Sequence, residues 1–187
     1  MPGLKVIAPA TPHDAKGLLK SAIRDQNPVI FIEAQLLYGT KGDVGDGEYT
    51  IPIGVAEVKR VGHHATIIAY SKMLLLALEA ADQLSQEGIE VEVIDPRTLK
   101  PLDLPTIVAS VKKTGRLVIV EEGWHFCGLG AQIAESVYAA AFDYLDAPIQ
   151  RVTGEDVPMP YSRPLEDAAI PDKARVIKAV KALCGAQ

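Results

Sequence analysis

The stretch RLVIVEEGWHFCGLGAQIAESV, from Arg116 to Val137, decides the fold of this chain. Its first part, Leu117 to Val120, is a run of apolar residues without polar alternation, which predicts a strand covered on both faces, as in parallel sheets. Gly128 and Gly130 permit a tight turn, and the apolar period that follows predicts a helix from about Gly130. The carboxyl end of such a strand is where open α/β sheets bind ligands.

Strands and helices alternate on both sides of this stretch. The sequence predicts further strands at residues 55–61, 66–70, 89–94 and 149–153, and helices at residues 72–87, 104–114 and 171–184. Alternation of this kind predicts an α/β fold, a three-layer sandwich with a mostly parallel sheet, in which residues 55–61 form an edge strand.

The first residues of the chain predict a separate and smaller unit. Leu4 to Ala8 and Pro28 to Glu33 are predicted strands, and the apolar period between them indicates a helix, so together they form a parallel βαβ unit. A unit of this size seldom folds alone, which suggests that the chain is the C-terminal part of a longer protein. The interpretation divides the chain into a βαβ remnant of a second α/β domain (residues 1–38), a linker rich in Gly and Asp (39–54) and a main domain (55–187).

Composition excludes several classes of function. The chain is 48% hydrophobic and 23% charged with a net charge of −5, and no cluster of Lys and Arg suggests nucleic-acid binding. No apolar run approaches the roughly 18 residues of a membrane span, and no signal-peptide pattern opens the chain. Cys127 and Cys184 lie far apart without ligand spacing, so we expect a reducing intracellular compartment and no zinc site.

Two candidate chemistries follow the Leu117 strand, and each has a structural alternative. Gly128 and Gly130 precede a helix whose free N–H groups suit a phosphate, but GLG lacks the GxGxxG spacing, and close packing explains the glycines equally well. Glu121, Glu122 and His125 could act in acid–base catalysis. Because adjacent residues of a strand point to opposite faces, one structural and one exposed carboxylate is the favoured outcome.

The remaining residues of this loop suit either a site or a surface. His125 and Cys127 could form a base and a nucleophile, but no third residue orients them, and an inert cysteine is favoured. Trp124 and the segment Val157–Tyr161 suit a protein interface, while core filling by Trp124 is an equal alternative. The residues alone do not name a reaction.

A resemblance to a known family extends over nearly the whole chain. The chain resembles the β subunits of the thiamine-diphosphate-dependent decarboxylating component of the pyruvate dehydrogenase complex, which carry a transketolase-like C-terminal domain. The similar segments are VIAPATPHDAKGLLKSAIRDQNPVIFIEAQLLYG (6–39), IPIGVAEVKRVG (51–62), VEVIDPRTLKPLD (91–103), VIVEEGWHFCGLGAQIAE (118–135) and APIQRVTGEDVPMPYSRPLEDAAIPD (147–172). The motif RVTGEDVPMPY is the most specific of these.

The resemblance implies an oxidoreductase of α2β2 composition that decarboxylates pyruvate on thiamine diphosphate and passes the acetyl group to lipoyl arms. The implied partners are the α subunit, a second β subunit and the dihydrolipoamide acyltransferase core, which would dock near Ala182–Gln187. The family's catalytic and cofactor-binding residues would lie before Met1 or in the α subunit. The present residues would therefore serve assembly and be inactive alone.

The same resemblance implies a soluble intracellular protein of a bacterial cytoplasm or plastid stroma, ahead of the mitochondrial matrix. Two alternatives stay open. One is the β subunit of a branched-chain 2-oxo acid or acetoin dehydrogenase, and the other is a non-catalytic binding module.

The segment SAIRDQNP (21–28) resembles the potassium-binding turn of the family. The resemblance implies a potassium site built from the carbonyl oxygens of Ala22 and Ile23 with the side chains of Asp25 and Asn27. A helix C-terminus with spare carbonyl groups and a carboxylate suits a monovalent cation. A metal-free helix end capped by Asn27 is an alternative of comparable weight.

Overall fold

The computed structural model describes residues 2–185, which form eight strands and six α-helices. The strands are β1 (Lys5–Ile7), β2 (Val29–Phe31), β3 (Glu57–Arg60), β4 (Ala65–Ala69), β5 (Val91–Asp95), β6 (Thr98–Lys100), β7 (Leu117–Trp124) and β8 (Gln150–Gly154). The helices are α1 (Pro12–Arg24), α2 (Lys72–Gln86), α3 (Leu104–Thr114), α4 (Leu129–Ala141), α5 (Arg163–Ala169) and α6 (Lys173–Cys184).

The main sheet has five strands in the order β3-β5-β4-β7-β8. All neighbouring pairs are parallel except β3 and β5, which pair antiparallel at the edge. Strands β4 and β5 are buried at every position, and β7 is buried over its first five residues, because helices cover both faces of the sheet. The predicted α/β class, with its mostly parallel sheet in three layers, is confirmed.

Two apolar cores lie on opposite faces of this sheet. On one face α2 and α6 contribute buried side chains such as Leu74, Leu84 and Val180. On the other face α3 and α4 contribute Ile107 and Ile133. Each helix presents one apolar stripe to the sheet, which is what the helical period in the sequence predicts.

Side chains and a glycine cap the ends of α1 and α3, whereas the start of α2 has no side-chain cap. Thr11 accepts a hydrogen bond from the N–H of Asp14 at the start of α1, and Asp103 caps α3 through the N–H of Thr106. Gly115, with φ of +68°, ends α3 in the left-handed conformation that glycine adopts without strain. Ser71, which precedes α2, makes no side-chain cap bond and has a positive φ of 52°.

The front unit, which we define as β1, α1 and β2, has the predicted βαβ arrangement with parallel strands. Its sheet has a third strand, because β6 pairs antiparallel with β1. No strand was predicted from the sequence at Thr98–Lys100, and neither was its pairing with β1. The chain that leaves the main sheet therefore completes the sheet of the front unit.

Three further details differ from the sequence expectation or add to it. Strand β7 continues to Trp124, beyond the predicted end at Val120, and α5 follows a proline-rich loop where no helix was predicted. Residues 39–54 contain neither a strand nor a helix. Among residues 2–185, no helix combines the length and the apolar character needed to cross a bilayer.

Candidate functional site

The carboxylate of Glu121 fills the space in front of α4. Glu121 is 1% exposed, and its Oε2 accepts the N–H of Gly130 at 2.9 Å. Its Oε1 accepts Nη2 of Arg151 at 2.7 Å. The N-terminus of α4 therefore already faces an anion, and that anion belongs to the chain itself.

The two glycines of this loop are explained by the approach of Glu121. A Cβ at Gly128 would lie 2.8 Å from Oε1 of Glu121 and 2.7 Å from the carbonyl oxygen of Trp124. A Cβ at Gly130 would meet the same carboxylate and would lie 3.0 Å from Nε of Arg151. The structure therefore favours close packing over phosphate binding as the reason for both glycines.

Arg151 and Tyr70 complete the surroundings of Glu121. Nη2 of Arg151 also donates to the carbonyl oxygen of His125 at 2.9 Å, so one guanidinium holds both the carboxylate and the loop. The hydroxyl of Tyr70 donates to Glu121 at 3.4 Å. Burial, and then the charge of Glu121, raise the pKa of Tyr70 well above its ordinary value. This hydroxyl stays protonated at neutral pH and acts as a donor.

The other polar residues of the loop do not converge on a reaction centre. Glu122 is exposed and lies 3.4 Å from Nζ of Lys72, on the side opposite to Glu121, as the strand alternation predicts. His125 and Cys127 are both exposed, and within residues 2–185 their side chains form no hydrogen bond with each other. The structure gives no support to a His–Cys nucleophile.

Apolar side chains are instead displayed at this edge of the sheet. Trp124 is 52% exposed, so its core-filling alternative is wrong, and Phe126 is 75% exposed. Trp124 pairs with Gly154 at the end of β8, and the chain beyond β8 carries Met159 and the fully exposed Tyr161. Such aromatic and methionine side chains are typical of protein interfaces.

The four residues of the predicted potassium turn lie together at the end of α1. The carbonyl oxygen of Ala22 accepts the N–H of Asp25 at 3.3 Å, and Ile23 is exposed. Oδ1 of Asp25 accepts the backbone N–H of Asn27 at 2.9 Å and its side-chain amide at 3.2 Å. The carbonyl and carboxylate oxygens are of the kind that bind a monovalent cation.

The ammonium group of Lys5 already lies at this turn. Nζ of Lys5 donates to Oδ2 of Asp25. This hydrogen bond, with those from Asn27, holds the pKa of Asp25 below its ordinary value. The oxygen set fits potassium in kind, and a bound cation would share Asp25 with Lys5.

Sequence analysis missed a buried group of charges where the front unit meets the main sheet. We call it the joint and define it by its residues, which are Asp14, Glu57, Lys59, Asp95 and Arg97. Asp14 is fully buried and accepts Nη1 of Arg97 at 3.0 Å and Nζ of Lys59 at 2.7 Å. Nη1 of Arg97 also lies 3.1 Å from Glu57, to which Lys59 donates as well.

The charge states within the joint follow from these contacts. Burial alone would raise the pKa of Asp14, but hydrogen bonds from Lys59 and Thr11 outweigh it and hold that pKa below its ordinary value. Asp95 has no such support, and burial raises its pKa to about 7. The only local signal was an Asp–Pro–Arg turn after a buried strand. The charged groups that contact one another in the joint lie far apart in the sequence, so this turn alone could not predict the joint.

The structure gives no metal centre of the His, Cys and carboxylate type. Within residues 2–185, no group of three or more His, Cys, Asp or Glu side chains could hold a metal ion. The docking surface expected near Ala182–Gln187 falls partly outside the described residues, because Ala186 and Gln187 are not among them.

Two domain families match the chain. The transketolase C-terminal domain matches residues 54–176, and the transketolase pyrimidine binding domain matches residues 1–41. Among solved structures, one described as a split-gene transketolase in an inactive β4 tetramer superposes with a TM-score of 0.79 at 27% identity, covering 99% of this chain and 58% of that one.

Curated relatives are about 50% identical to the chain over the aligned residues. The pyruvate dehydrogenase E1 component subunit β of Rickettsia bellii is 53% identical over 184 residues, which are 98% of this chain and 57% of the relative. The protein of the same name from Rhizobium meliloti is 52% identical over 98% of this chain and 40% of its own length. The mitochondrial protein of this name from Dictyostelium discoideum is 51% identical over 97% of this chain and 52% of its own length. The chain spans about half the length of these relatives.

Proposed function

The chain belongs to the transketolase C-terminal domain family, and we propose that it forms part of the β subunit of a thiamine-diphosphate-dependent pyruvate dehydrogenase E1 component. The observation that carries the proposal is the 53% identity to such a subunit over 98% of the chain. The reaction would be the decarboxylation of pyruvate and the transfer of its acetyl group to lipoyl arms.

Within that enzyme we assign these residues to assembly and not to bond making. Thiamine diphosphate supplies the carbanion chemistry of the reaction when it is bound. The glycine loop before α4 does not fit the diphosphate, because Glu121 already faces the helix N-terminus. We therefore assign the cofactor to the α subunit and to the part of the β relatives that this chain does not match.

We propose three units along the chain. Residues 1–38 would close a pyrimidine-binding domain, residues 39–54 would be a linker, and residues 55–187 would form the C-terminal domain. The separate sheet of the front unit and the lack of regular structure between residues 39 and 54 support this division.

The proposed partners are the α subunit, a second β subunit and the dihydrolipoamide acyltransferase core. Support comes from exposed apolar side chains, which a lone chain has no reason to display in such number. They include Trp124, Phe126 and Tyr161, together with Tyr138 and Phe142, whose rings pack at 4.8 Å. A bacterial cytoplasm or a plastid stroma is the proposed location.

Capture by purified α subunits tests the proposed partnership. The 187-residue chain should retain the α subunit of a pyruvate dehydrogenase, and the chain alone should not decarboxylate pyruvate with added thiamine diphosphate. Trp124→Ser should weaken capture because it removes an exposed aromatic side chain from the proposed interface. Val61→Ser is the matched control, since Val61 is 76% exposed and lies just after β3, away from β7 in the sequence.

The same capture separates the alternatives. Retention of an α subunit from a branched-chain 2-oxo acid or acetoin dehydrogenase, with no retention of the pyruvate enzyme's subunit, would favour those enzymes. Failure to retain any of the three would favour a binding module and would contradict the proposal.

We also propose that the turn at Ala22, Ile23, Asp25 and Asn27 binds potassium and stabilises the fold. The melting temperature should be higher in potassium chloride than in tetramethylammonium chloride, because the large organic cation cannot enter an oxygen-lined turn. Asp25→Asn should abolish the difference, whereas Asp46→Asn, at an exposed position, should retain it. Equal melting temperatures in the two salts would refute the site.

A further inference from the structure

Asp95 is a buried carboxyl group with too few hydrogen-bond donors for a charged state. It ends β5 and is fully buried. Its Oδ1 accepts the N–H of Arg97 at 2.8 Å, but its Oδ2 is buried without a hydrogen-bond partner. Burial of an ionised carboxylate in this condition is strongly unfavourable unless the group is neutralised.

The cations around Asp95 are already engaged by other carboxylates. Lys59 and Arg97 each donate to both Asp14 and Glu57. If Asp95 were ionised, three carboxylates of the joint would face two cations. His13 lies 3.7 Å from Asp14 but is half exposed, so solvent screens any charge that it carries.

A further carboxylate increases this imbalance. Asp103, at the start of α3, accepts hydrogen bonds from the N–H groups of Ala56 and Thr106. Burial would raise the pKa of Asp103, but these hydrogen bonds outweigh it and hold the pKa below its ordinary value. Asp103 is therefore ionised near neutral pH, and protonation of Asp95 is the simplest way to lower the negative charge around the joint.

We propose that Asp95 carries a proton in the joint and that loss of this proton as pH rises loosens the contact between the front unit and the main sheet. The geometry links the two events. Oδ1 of Asp95 holds the turn in which Arg97 has a positive φ of 54°, and this turn aims the Arg97 guanidinium at Asp14. The carbonyl oxygen of Arg97 then accepts the N–H of Ala8, beside the β1–β6 pair.

The pH range in which Asp95 affects the free energy of unfolding follows from its burial. Burial raises the pKa of Asp95 to about 7, while in the unfolded chain Asp95 has the ordinary aspartate pKa of 3.8. Between these values the folded chain binds one more proton than the unfolded chain. The free energy of unfolding therefore decreases as pH rises through this range, and ionised Asp95 then repels Asp14 across the joint.

Carbon-13 NMR of the aspartate carboxyl carbons in the 187-residue chain tests the proton directly. We expect the Asp95 signal to titrate close to pH 7, well above the ordinary value of an aspartate, about 4. Titration of every aspartate below about pH 5 would overturn the proposal.

Amide hydrogen exchange tests the loosening. After correction for the intrinsic rate, the protection of the Val6 and Ala8 amides should fall as pH rises from about 4 to about 7, the range in which the folded chain holds the extra proton. Asp95→Asn keeps an oxygen for the Arg97 N–H and removes the ionisation, so its front-unit protection should stay constant with pH.

Asp156→Asn, at an exposed position, is the control for this exchange experiment and should behave as the unmodified chain does. Identical pH profiles for the unmodified chain and both variants would contradict the proposal. If Asp95→Asn does not fold, the carbon-13 titration of the unmodified chain still decides the question.

Discussion

Glu121 and Asp95 are buried carboxyl groups on neighbouring parts of one sheet, yet their surroundings differ. Glu121 accepts hydrogen bonds from a backbone N–H, a guanidinium and a tyrosine hydroxyl. Asp95 accepts one backbone N–H and keeps one oxygen without a partner. Burial alone therefore does not determine whether a carboxyl group is ionised. The number of hydrogen-bond donors within reach of its oxygen atoms also decides this.

The donors also come from different distances along the sequence. The Gly130 N–H lies nine residues after Glu121, so one local loop supplies it. The cations of the joint reach Asp14 from 45 and 83 residues away. The Gly130 donor is therefore present whenever β7 and α4 are formed, whereas the charged contacts of the joint depend on docking of the front unit.

The largest effect is expected from loss of the guanidinium beside Glu121. Arg151→Met should lower the free energy of unfolding by about 3 kcal/mol, because it leaves a buried charge unpaired. The pair is well shielded from solvent, since the Arg151 side chain is 10% exposed and that of Glu121 is 1% exposed. Urea unfolding at pH 7 measures the loss.

Arg163→Met is the matched control for this variant. Arg163 pairs with Asp167 on the surface of α5, where both side chains are more than half exposed and solvent screens the pair. The control should unfold almost as the unmodified chain does. A loss for Arg151→Met as small as that of the control would show that Glu121 does not depend on its ion pair.

A smaller loss is expected at the joint. Asp14→Asn should lower the free energy of unfolding by about 2 kcal/mol near pH 7, because it removes charged hydrogen bonds to Lys59 and Arg97. The low pKa of Asp14 means that its contribution is present above about pH 4 and is lost as pH falls below that value. Urea unfolding between pH 7 and pH 2 should therefore show a smaller acid loss for the variant. If the free energy of unfolding falls as much at low pH in the variant as in the unmodified chain, this role of Asp14 is contradicted.

The smallest effect on the free energy of unfolding is expected when a side chain is added beside the Glu121 carboxylate. Gly130→Ala should cost about 1–2 kcal/mol, because overpacking against the carboxylate exceeds the gain in helix propensity. Gly123→Ala is the control, since a Cβ at Gly123 would meet no atom within 4 Å. Thermal unfolding of the two variants measures the difference. Equal stability would mean that an anion other than Glu121 could occupy the loop.

The same contrast explains how much could be predicted from the sequence. The apolar run before Glu121 predicted the central strand, and the strand alternation predicted one buried and one exposed glutamate. Strand β6 was not predicted, because Thr98–Lys100 is short, lies between two prolines and pairs with β1 about 90 residues earlier. Local periodicity contains no information about such a partner.

For the two candidate sites, too, the local sequence was informative and contacts between distant residues could not be predicted. The potassium turn could be named because the segment 21–28 resembles the potassium-binding turn of a known family, and its metal binding stays a prediction. Asp14 was not singled out in the sequence, where it is one acidic residue in the first turn of α1. Its burial results from Lys59 and Arg97, which belong to other elements, so only the fold shows the joint.

A chimeric β subunit tests the central claim most directly. This chain would replace the matched half of the pyruvate dehydrogenase E1 β subunit of Rickettsia bellii, and the hybrid would be assembled with the α subunit of that enzyme. The account predicts that the hybrid decarboxylates pyruvate when thiamine diphosphate is added, because these residues supply assembly surfaces common to both chains. A hybrid that folds but fails to assemble, or assembles without decarboxylating pyruvate, would contradict it.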